Sequence, residues 1–192
     1  MSEIELLVLC WAALSSVFAA LWVVQVDSHD ASHVDVGWAA GLGAAAAACA
    51  AFLPGEPSRR VLVGTMGTLW SARLVWHLYA DRVRGKPEDG RYASLRAAWG
   101  DKANRNFFWF FQAQGFLDVV LSLPFVALCA RSGALSPADW SGAGLWIAAV
   151  AGETAADSQL AAFRAVAANK GTVCRAGLWR YSRHPNYFFE WL

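Results

Sequence analysis

Five long apolar runs constrain the fold of this chain more than any other feature of its sequence. They cover residues 4–26, 34–53, 61–79, 107–130 and 145 to about 168. Each approaches the roughly 20 residues that an α-helix needs to cross the hydrocarbon core of a bilayer. Because backbone groups in lipid must be paired within the segment, helices are the expected conformation. The sequence predicts an all-α, multi-span integral membrane protein with five to six transmembrane helices, the sixth beginning near Pro185.

Details of the runs refine this prediction. The first run lacks a basic start and exceeds the length of a signal-peptide core, so we expect it to remain as an anchor. Small residues in the second run permit close helix packing, and Pro124 should bend the fourth. The fifth should continue beyond the lipid as a polar helix. Neither a soluble domain nor a linker is indicated, so residues 1–192 are predicted to form a single membrane domain.

The basic residues predict the orientation in the membrane. Twelve lie in the 80–106 loop, at the end of the fifth run (Arg164) and after that run, all of which fall on one side, whereas the other side has only Arg59, Arg60 and Arg131. The positive-inside rule makes the richer side cytosolic and the N-terminus extracytoplasmic. High Ala and Gly content suits a bacterial inner membrane. Since topology accounts for these charges, they do not indicate nucleic acid binding.

Metal binding is not predicted. Cys10, Cys49, Cys129 and Cys174 lack metal-type or paired spacing and are expected to pack in the core. His29 and His33 are interpreted as part of a polar loop, because no further Cys or His completes a site.

Polar residues at one membrane depth predict a pocket that opens to the cytosol. At about 100° per residue, Arg73 and His77 share one helix face, and Glu153, Asp157 and Arg164 form a stripe. The alternative for the stripe is that Asp157 and Arg164 only solvate a helix end. Glu153 lies deeper, in an Ala-rich stretch where a carboxylate needs a partner. Other polar residues placed at this depth are Asp35, Gln112, Gln114 and Asp118.

The tail carries a second concentration of polar groups. Ser182 is predicted to cap a helix with Pro185 in its first turn, which would put Asn186 and Glu190 on one face. A helix N-terminus beside several arginines favours phosphate binding. The alternative is an interfacial anchor, since Tyr, Trp and Arg favour the headgroup region.

Three segments near the C-terminus carry a family resemblance: Glu153-Thr154-Ala155-Ala156-Asp157-Ser158-Gln159-Leu160 with Phe163-Arg164, then Asn169-Lys170-Gly171, then Gly177 to Tyr187. Upstream, Val34 to Trp38, Arg73-Leu74 and Arg91-Tyr92 fit as well. They resemble the DUF1295 branch of the steroid 5α-reductase family. The resemblance implies a helical membrane reductase that passes a hydride from NADPH to a carbon-carbon double bond conjugated to a carbonyl. The substrate would be lipid-soluble, steroid-like or isoprenoid. Relatives continue through further helices, so the chain is expected to lack the last ones.

The same resemblance assigns a cofactor site. It would comprise Arg73, Glu153, Asp157, Arg164, Arg180, Tyr181, Arg183, His184, Asn186, Tyr187 and Glu190. Carboxylates and amides suit the ribose and nicotinamide, whereas arginines suit phosphates. The surplus of arginines, which includes Arg175, predicts a preference for NADPH over NADH. For catalysis, the family's Glu would correspond to Asp35 and its Tyr to Trp70, with His77 as a substitute acid.

Two other function classes remain open. A membrane methyltransferase of the isoprenylcysteine type, which uses S-adenosylmethionine, also carries an Arg-His-Pro-x-Tyr element, although the segment from Glu153 to Asp157 argues against it. A non-catalytic membrane scaffold or lipid-binding protein is the third possibility. Stabilisation by NADPH, by S-adenosylmethionine or by neither would separate the three classes.

Overall fold

The protein is built entirely from helices, in a computed structural model that describes residues 1–192. The α-helices are α1 (Glu3–Ser28), α2 (His33–Phe52), α3 (Pro57–Leu78), α4 (Gly90–Trp99), α5 (Ala103–Leu121), α6 (Leu123–Cys129), α7 (Pro137–Ala165) and α8 (Pro185–Glu190). A π-helical turn, Tyr79–Val83, follows α3, and short 3-10 turns lie at Gly100–Lys102, Ala167–Asn169 and Gly177–Arg180. The chain forms two compact units, Met1–Ala134 and Leu135–Leu192. The all-α prediction is confirmed.

Three segments are long and apolar enough to cross a membrane: Glu3–Ser28, His33–Phe52 and Gly90–Cys129. They support a protein that associates with a membrane and contacts lipid. Large apolar side chains such as Ile4 and Trp109 are exposed on these helices, as a lipid-facing surface requires. The helices α3 and α7 have 22 and 29 residues but fall below the same level of apolarity. The count of five to six spans therefore stays a prediction.

The helix is interrupted just before Pro124, where a bend was expected. The fourth apolar run divides into α5, which ends at Leu121, and α6, which has the proline in its first turn. Proline lacks an amide hydrogen and is tolerated at a helix start, so the division falls directly before it.

Two helix boundaries differ from the sequence-based expectation. The helix α7 begins at Pro137, well before residue 145, because Asp139 accepts a 2.7 Å hydrogen bond from the Ser136 amide and completes a capping box. The predicted 80–106 loop contains α4, which Asp89 caps by accepting from the Arg91 amide at 2.9 Å. At both helix starts a side-chain cap satisfies free backbone amides, and a hydropathy profile does not reveal such caps.

Small residues bring α2 and α3 close together in the first unit. A Cβ on Gly43 would overlap the Ser71 side chain, and a Cβ on Gly64 would meet the Ala50 methyl group at 2.5 Å. The Ser71 hydroxyl donates to the Ala39 carbonyl at 2.7 Å. The prediction of close packing along the second run is confirmed, since side chains of ordinary size would separate these two backbones.

Arg59 and Arg60 bind backbone carbonyl oxygens, Arg59 in the segment after α6 and Arg60 near the end of α2. Arg59 is 1% exposed and donates to the carbonyl oxygens of Arg131, Gly133 and Ala134 at 2.9 to 3.2 Å. The Arg60 guanidinium donates to the Ala50 carbonyl at 2.7 Å, near the end of α2. Cations stabilise the free carbonyls of helix C-termini. Two of the three basic residues assigned to the extracytoplasmic side therefore have a structural role.

The second unit consists of α7 with the tail folded against it. The Leu178 amide donates to Gln159 Oε1, and the Trp179 indole donates to the Ala156 carbonyl, each at 2.8 Å. The helix α8 has six residues and begins after His184, so Ser182 is not its cap. Instead, Ser182 Oγ accepts from the His184 amide at 3.2 Å and closes the turn before the helix.

Candidate functional site

Asp35 lies in the first turn of α2, where the helix dipole favours a carboxylate. Its Oδ2 atom lies 2.6 Å from Nη1 of Arg82 and 2.6 Å from Nη2 of Arg91. Its Oδ1 atom accepts a 2.6 Å hydrogen bond from the hydroxyl of Tyr92. Both oxygens of Asp35 thus accept from donors that lie beyond the end of α3 or at the start of α4.

Asp89 completes this group, which we call the Asp35 cluster: Asp35, Arg82, Asp89, Arg91 and Tyr92. Asp89 Oδ1 lies 3.0 Å from Arg91 Nε. The hydrogen bond from the Arg91 side chain lowers the pKa of Asp89 below its ordinary value. Two carboxylates and two guanidinium groups balance in charge. Charge-assisted bonds between ionised groups are stronger than neutral ones, so the cluster is a rigid anchor for α4.

A second network fastens the same helix. Arg96 donates to Glu88 Oε1 at 2.8 Å and to Gln25 Oε1 at 3.0 Å. Glu88 Oε1 also accepts from the Ala31 amide at 2.9 Å, and the Asp89 amide donates to Ser32 Oγ at 2.8 Å. The start of α4 is consequently bound to the junction between α1 and α2.

Tyr92 is a residue to which sequence reasoning gave no role. Its side chain is 3% exposed and packs on Phe107 and Phe110 of α5. The only signal in the sequence was the Arg91-Tyr92 pair within the family resemblance, and the spacing argument had matched the family's Tyr to Trp70. Trp70 instead packs beside Leu74 and Leu78 in an apolar cluster.

Arg73 and His77 share α3, as expected. His77 is half-buried and is not among the hydrogen-bond partners of Asp35, which are Arg82, Arg91 and Tyr92. One turn after Asp35 on α2, the indole nitrogen of Trp38 is buried without a hydrogen-bond partner. Residues three apart on a helix are neighbours on its surface. The first turns of α2 thus carry the Asp35 carboxylate, whose oxygens are hydrogen-bonded, and the Trp38 indole N–H, which has no acceptor.

In the second unit, Asp157 and Asn186 come together. The amide nitrogen of Asn186 on α8 donates to Asp157 Oδ1 on α7 at 3.2 Å. The amide oxygen of Asn186 is buried and has no hydrogen-bond partner. Two residues that are 29 positions apart in sequence therefore form one polar contact with an unused acceptor beside it.

Glu153 lies one helical turn before Asp157 and is 4% exposed. Beside it, Gly152 gives room to the Phe189 ring, because a Cβ there would overlap that ring. The Phe189 ring occupies the space that this glycine leaves. The missing side chain of Gly152 lets α8 approach α7 closely.

The remaining predicted cofactor residues lie on the surface of the second unit. Arg164, Arg180, Arg183 and Arg175 are exposed. The His184 and Tyr187 rings stack with centroids 5.4 Å apart, and Tyr181 is 84% exposed. Exposed residues in this set are Arg164, Arg180, Tyr181, Arg183, His184, Tyr187 and Glu190. A metal site is not formed, since no group of three or more His, Cys, Asp or Glu side chains is placed to hold an ion.

Comparison with known families gives one match. The model of a family described as a protein of unknown function, DUF1295, matches residues 21–192. Comparison with curated proteins gives no match, and comparison with solved structures gives none either. The family match includes α2 to α8 with both groups of polar residues, and it covers most of the chain. The chain therefore belongs to the DUF1295 family.

Proposed function

We propose that the protein is an NADPH-dependent reductase that reduces a carbon-carbon double bond conjugated to a carbonyl in a lipid-soluble substrate. The contact between Asp157 and Asn186 is the observation that carries this proposal. It joins the two segments that resemble the nucleotide-binding part of the steroid 5α-reductases. A chance resemblance in sequence would give no reason for the side chains of Asp157 and Asn186 to form a hydrogen bond.

The polar groups of the second unit suit such a cofactor. The buried amide oxygen of Asn186 has no partner, and together with the carboxylates of Glu153 and Asp157 it offers acceptors for hydroxyl and carboxamide groups. The exposed arginines offer bidentate donors for phosphates. Their number favours a cofactor with an additional phosphate. When bound, NADPH would supply the hydride.

The Asp35 cluster and Trp38 suit a carbonyl. The Trp38 indole is a donor of the type that stabilises charge on a carbonyl oxygen as a hydride arrives elsewhere on the substrate. The Tyr92 hydroxyl donates its one proton to Asp35. Asp35 accepts the Tyr92 hydrogen bond and so orients that hydroxyl. In this proposal Asp35 and Tyr92 hold the start of α2, which carries Trp38, and His77 is the alternative acid.

Topology is also part of the proposal. We propose at least five spans, with α3 and α7 added to the three most apolar segments, an extracytoplasmic N-terminus and a cytosolic cofactor site. Two of the twelve cations on the proposed cytosolic side, Arg82 and Arg91, pair with Asp35. Exposed cations on the same side include Arg84, Lys86, Lys102 and Arg105, so the positive-inside bias persists. A bacterial inner membrane fits this arrangement, with substrate entering from the bilayer.

Cofactor titration of the detergent-solubilised protein tests the proposal. Asp157→Ala and Asn186→Ala should each weaken NADPH binding by about 1.5 to 3 kcal/mol, the value of a hydrogen bond to a charged group. The matched control is Asp101→Ala, since Asp101 is exposed and should leave binding unchanged.

Three outcomes would refute the assignment. One is binding by Asp157→Ala equal to that of the parent protein, and another is equal affinity for NADH and NADPH. The third is a rise in melting temperature with S-adenosylmethionine but not with NADPH, which would instead support a methyltransferase.

A further inference from the structure

Asp118 is a carboxyl group inside the helical bundle that no part of the proposed reaction uses. It lies in α5 and is 0% exposed. Neither of its oxygens has a hydrogen-bond partner. A buried polar group without a partner is rare in folded proteins and calls for a bound species or a special role.

Its surroundings are apolar on the helices that face it. A Cβ on Gly41 of α2 would overlap Asp118 Oδ2 and would lie 2.8 Å from a methyl carbon of Leu14 of α1. The carboxyl group thus occupies space left by the glycine, at the place where α1, α2 and α5 meet. A side chain at position 41 would displace it.

No charged side chain lies near Asp118 along these helices. The acidic residues of α1 are Glu3, Glu5 and Asp27, which lie near the two ends of the helix. Its other ionisable residue, Cys10, is a free thiol and carries no charge. Those of α2 are His33, Asp35 and Cys49, and α6 contributes Cys129. The α4 residues Arg96 and Tyr92 meet α5 at Phe107 and Phe110, at least eight positions before Asp118, or about 12 Å along the helix axis. A counter-ion for Asp118 is therefore absent from every packed element.

These observations decide whether the carboxyl group binds a metal ion, an alkali cation or a proton. A metal or alkali cation needs several oxygen ligands, and no group of three or more His, Cys, Asp or Glu side chains is formed. An ionised carboxylate alone in an apolar, membrane-embedded site is far more costly than the neutral acid. We infer that the Asp118 carboxyl group binds a proton in the folded protein, as a proton-binding site buried in the membrane-spanning bundle.

Infrared difference spectroscopy of the protein in lipid nanodiscs tests this inference directly. The parent spectrum at neutral pH should contain the carbonyl stretch of a protonated carboxylic acid, and the spectrum of Asp118→Asn should lack it. Loss of a carboxylate stretch instead would overturn the inference. So would conversion of the acid band to a carboxylate band on addition of Na⁺ or K⁺, because the ligand would then be a cation.

Two further measurements keep the test decisive if Asp118→Asn fails to fold. Parent protein labelled with carboxyl-¹³C aspartate should show a shifted protonated-acid band at neutral pH, and complete absence of that band refutes the inference. Gly41→Ala should shift or remove the band, since its Cβ would overlap Asp118 Oδ2. In the control Gly144→Ala the added methyl group meets open space, so the band should be unchanged. An unchanged band in Gly41→Ala would contradict the assignment to Asp118.

Discussion

The hydroxyl group of Tyr92 donates a 2.6 Å hydrogen bond to Oδ1 of Asp35, across 57 positions of sequence. This bond fastens the short helix α4 to the first turn of α2. It also holds in place the first turns of α2, which carry Asp35 and the proposed donor Trp38. Stability and the proposed chemistry therefore depend on the same contact.

Tyr92→Phe should lower the free energy of unfolding by about 1.5 to 3 kcal/mol, because the partly buried carboxylate of Asp35 loses a hydrogen-bond donor. Thermal unfolding in detergent measures the change. Tyr181→Phe is the control, since Tyr181 is 84% exposed. Equal melting temperatures for the parent and Tyr92→Phe would argue against this hydrogen bond.

Acidification should weaken the attachment of α4. The Arg91 hydrogen bond lowers the pKa of Asp89 below its ordinary value of 3.8. A depressed value in the folded state means that the stabilisation is fully present above pH 3.8 and is lost as the pH falls through the folded value. The difference in melting temperature between the parent and Asp89→Asn should shrink across that acid range. Asp101→Asn, at an exposed position, is the control for the loss of one carboxylate. A difference that stays constant into strong acid would contradict the prediction.

Gly152→Ala should loosen α8 from α7, because the added methyl group would overlap the Phe189 ring. Amide hydrogen exchange over residues 185–190 should become faster. Gly144→Ala on the same helix meets open space and should leave the exchange unchanged. Protection of α8 in Gly152→Ala equal to that in the parent would show that the ring moves aside at no cost.

Arg59→Gln should destabilise the first unit more than any exposed arginine does. A buried guanidinium that holds three carbonyl oxygens loses charge-assisted bonds, each worth about 1.5 to 3 kcal/mol, although not additively. Chemical denaturation in detergent provides the comparison, with Arg105→Gln as the exposed control. Equal losses of unfolding free energy in the two variants would contradict a structural role for Arg59.

Cysteine labelling should establish the orientation. In a background with the four native cysteines replaced by alanine, Lys86→Cys should react only with reagents that reach the cytosol. Ser132→Cys should react from outside the cell. Both side chains are exposed. The reverse pattern would invert the topology and move the proposed cofactor site to the other side.

Much of the helical architecture followed from the sequence alone. Long apolar runs require backbone hydrogen bonds within each segment, so α1, α2 and α5 were predictable in type and approximate extent. The break before Pro124 followed from the missing amide hydrogen of proline. Arg73 and His77 on one helix, and Glu153 with Asp157 on another, followed from helical periodicity.

Features that depend on capping and long-range contact required the tertiary structure. The early start of α7 depends on Asp139, and the existence of α4 depends on Asp89, through hydrogen bonds that hydropathy does not register. The partnership of Asp35 with Tyr92 could not be inferred from spacing, which pointed to Trp70 instead. Only the path of the chain after α3 returns Tyr92 to the start of α2.

Asp118 illustrates the same division. The sequence placed a carboxyl group in a membrane-spanning helix, and its cost there was predictable from the chemistry of an ionisable group in lipid. Whether that group faced a cytosolic pocket or a closed interior depended on which helices pack against α5. The bundle of α1, α2 and α5 sealed it beside Gly41, because the glycine alone leaves room for the carboxyl group between the packed helices.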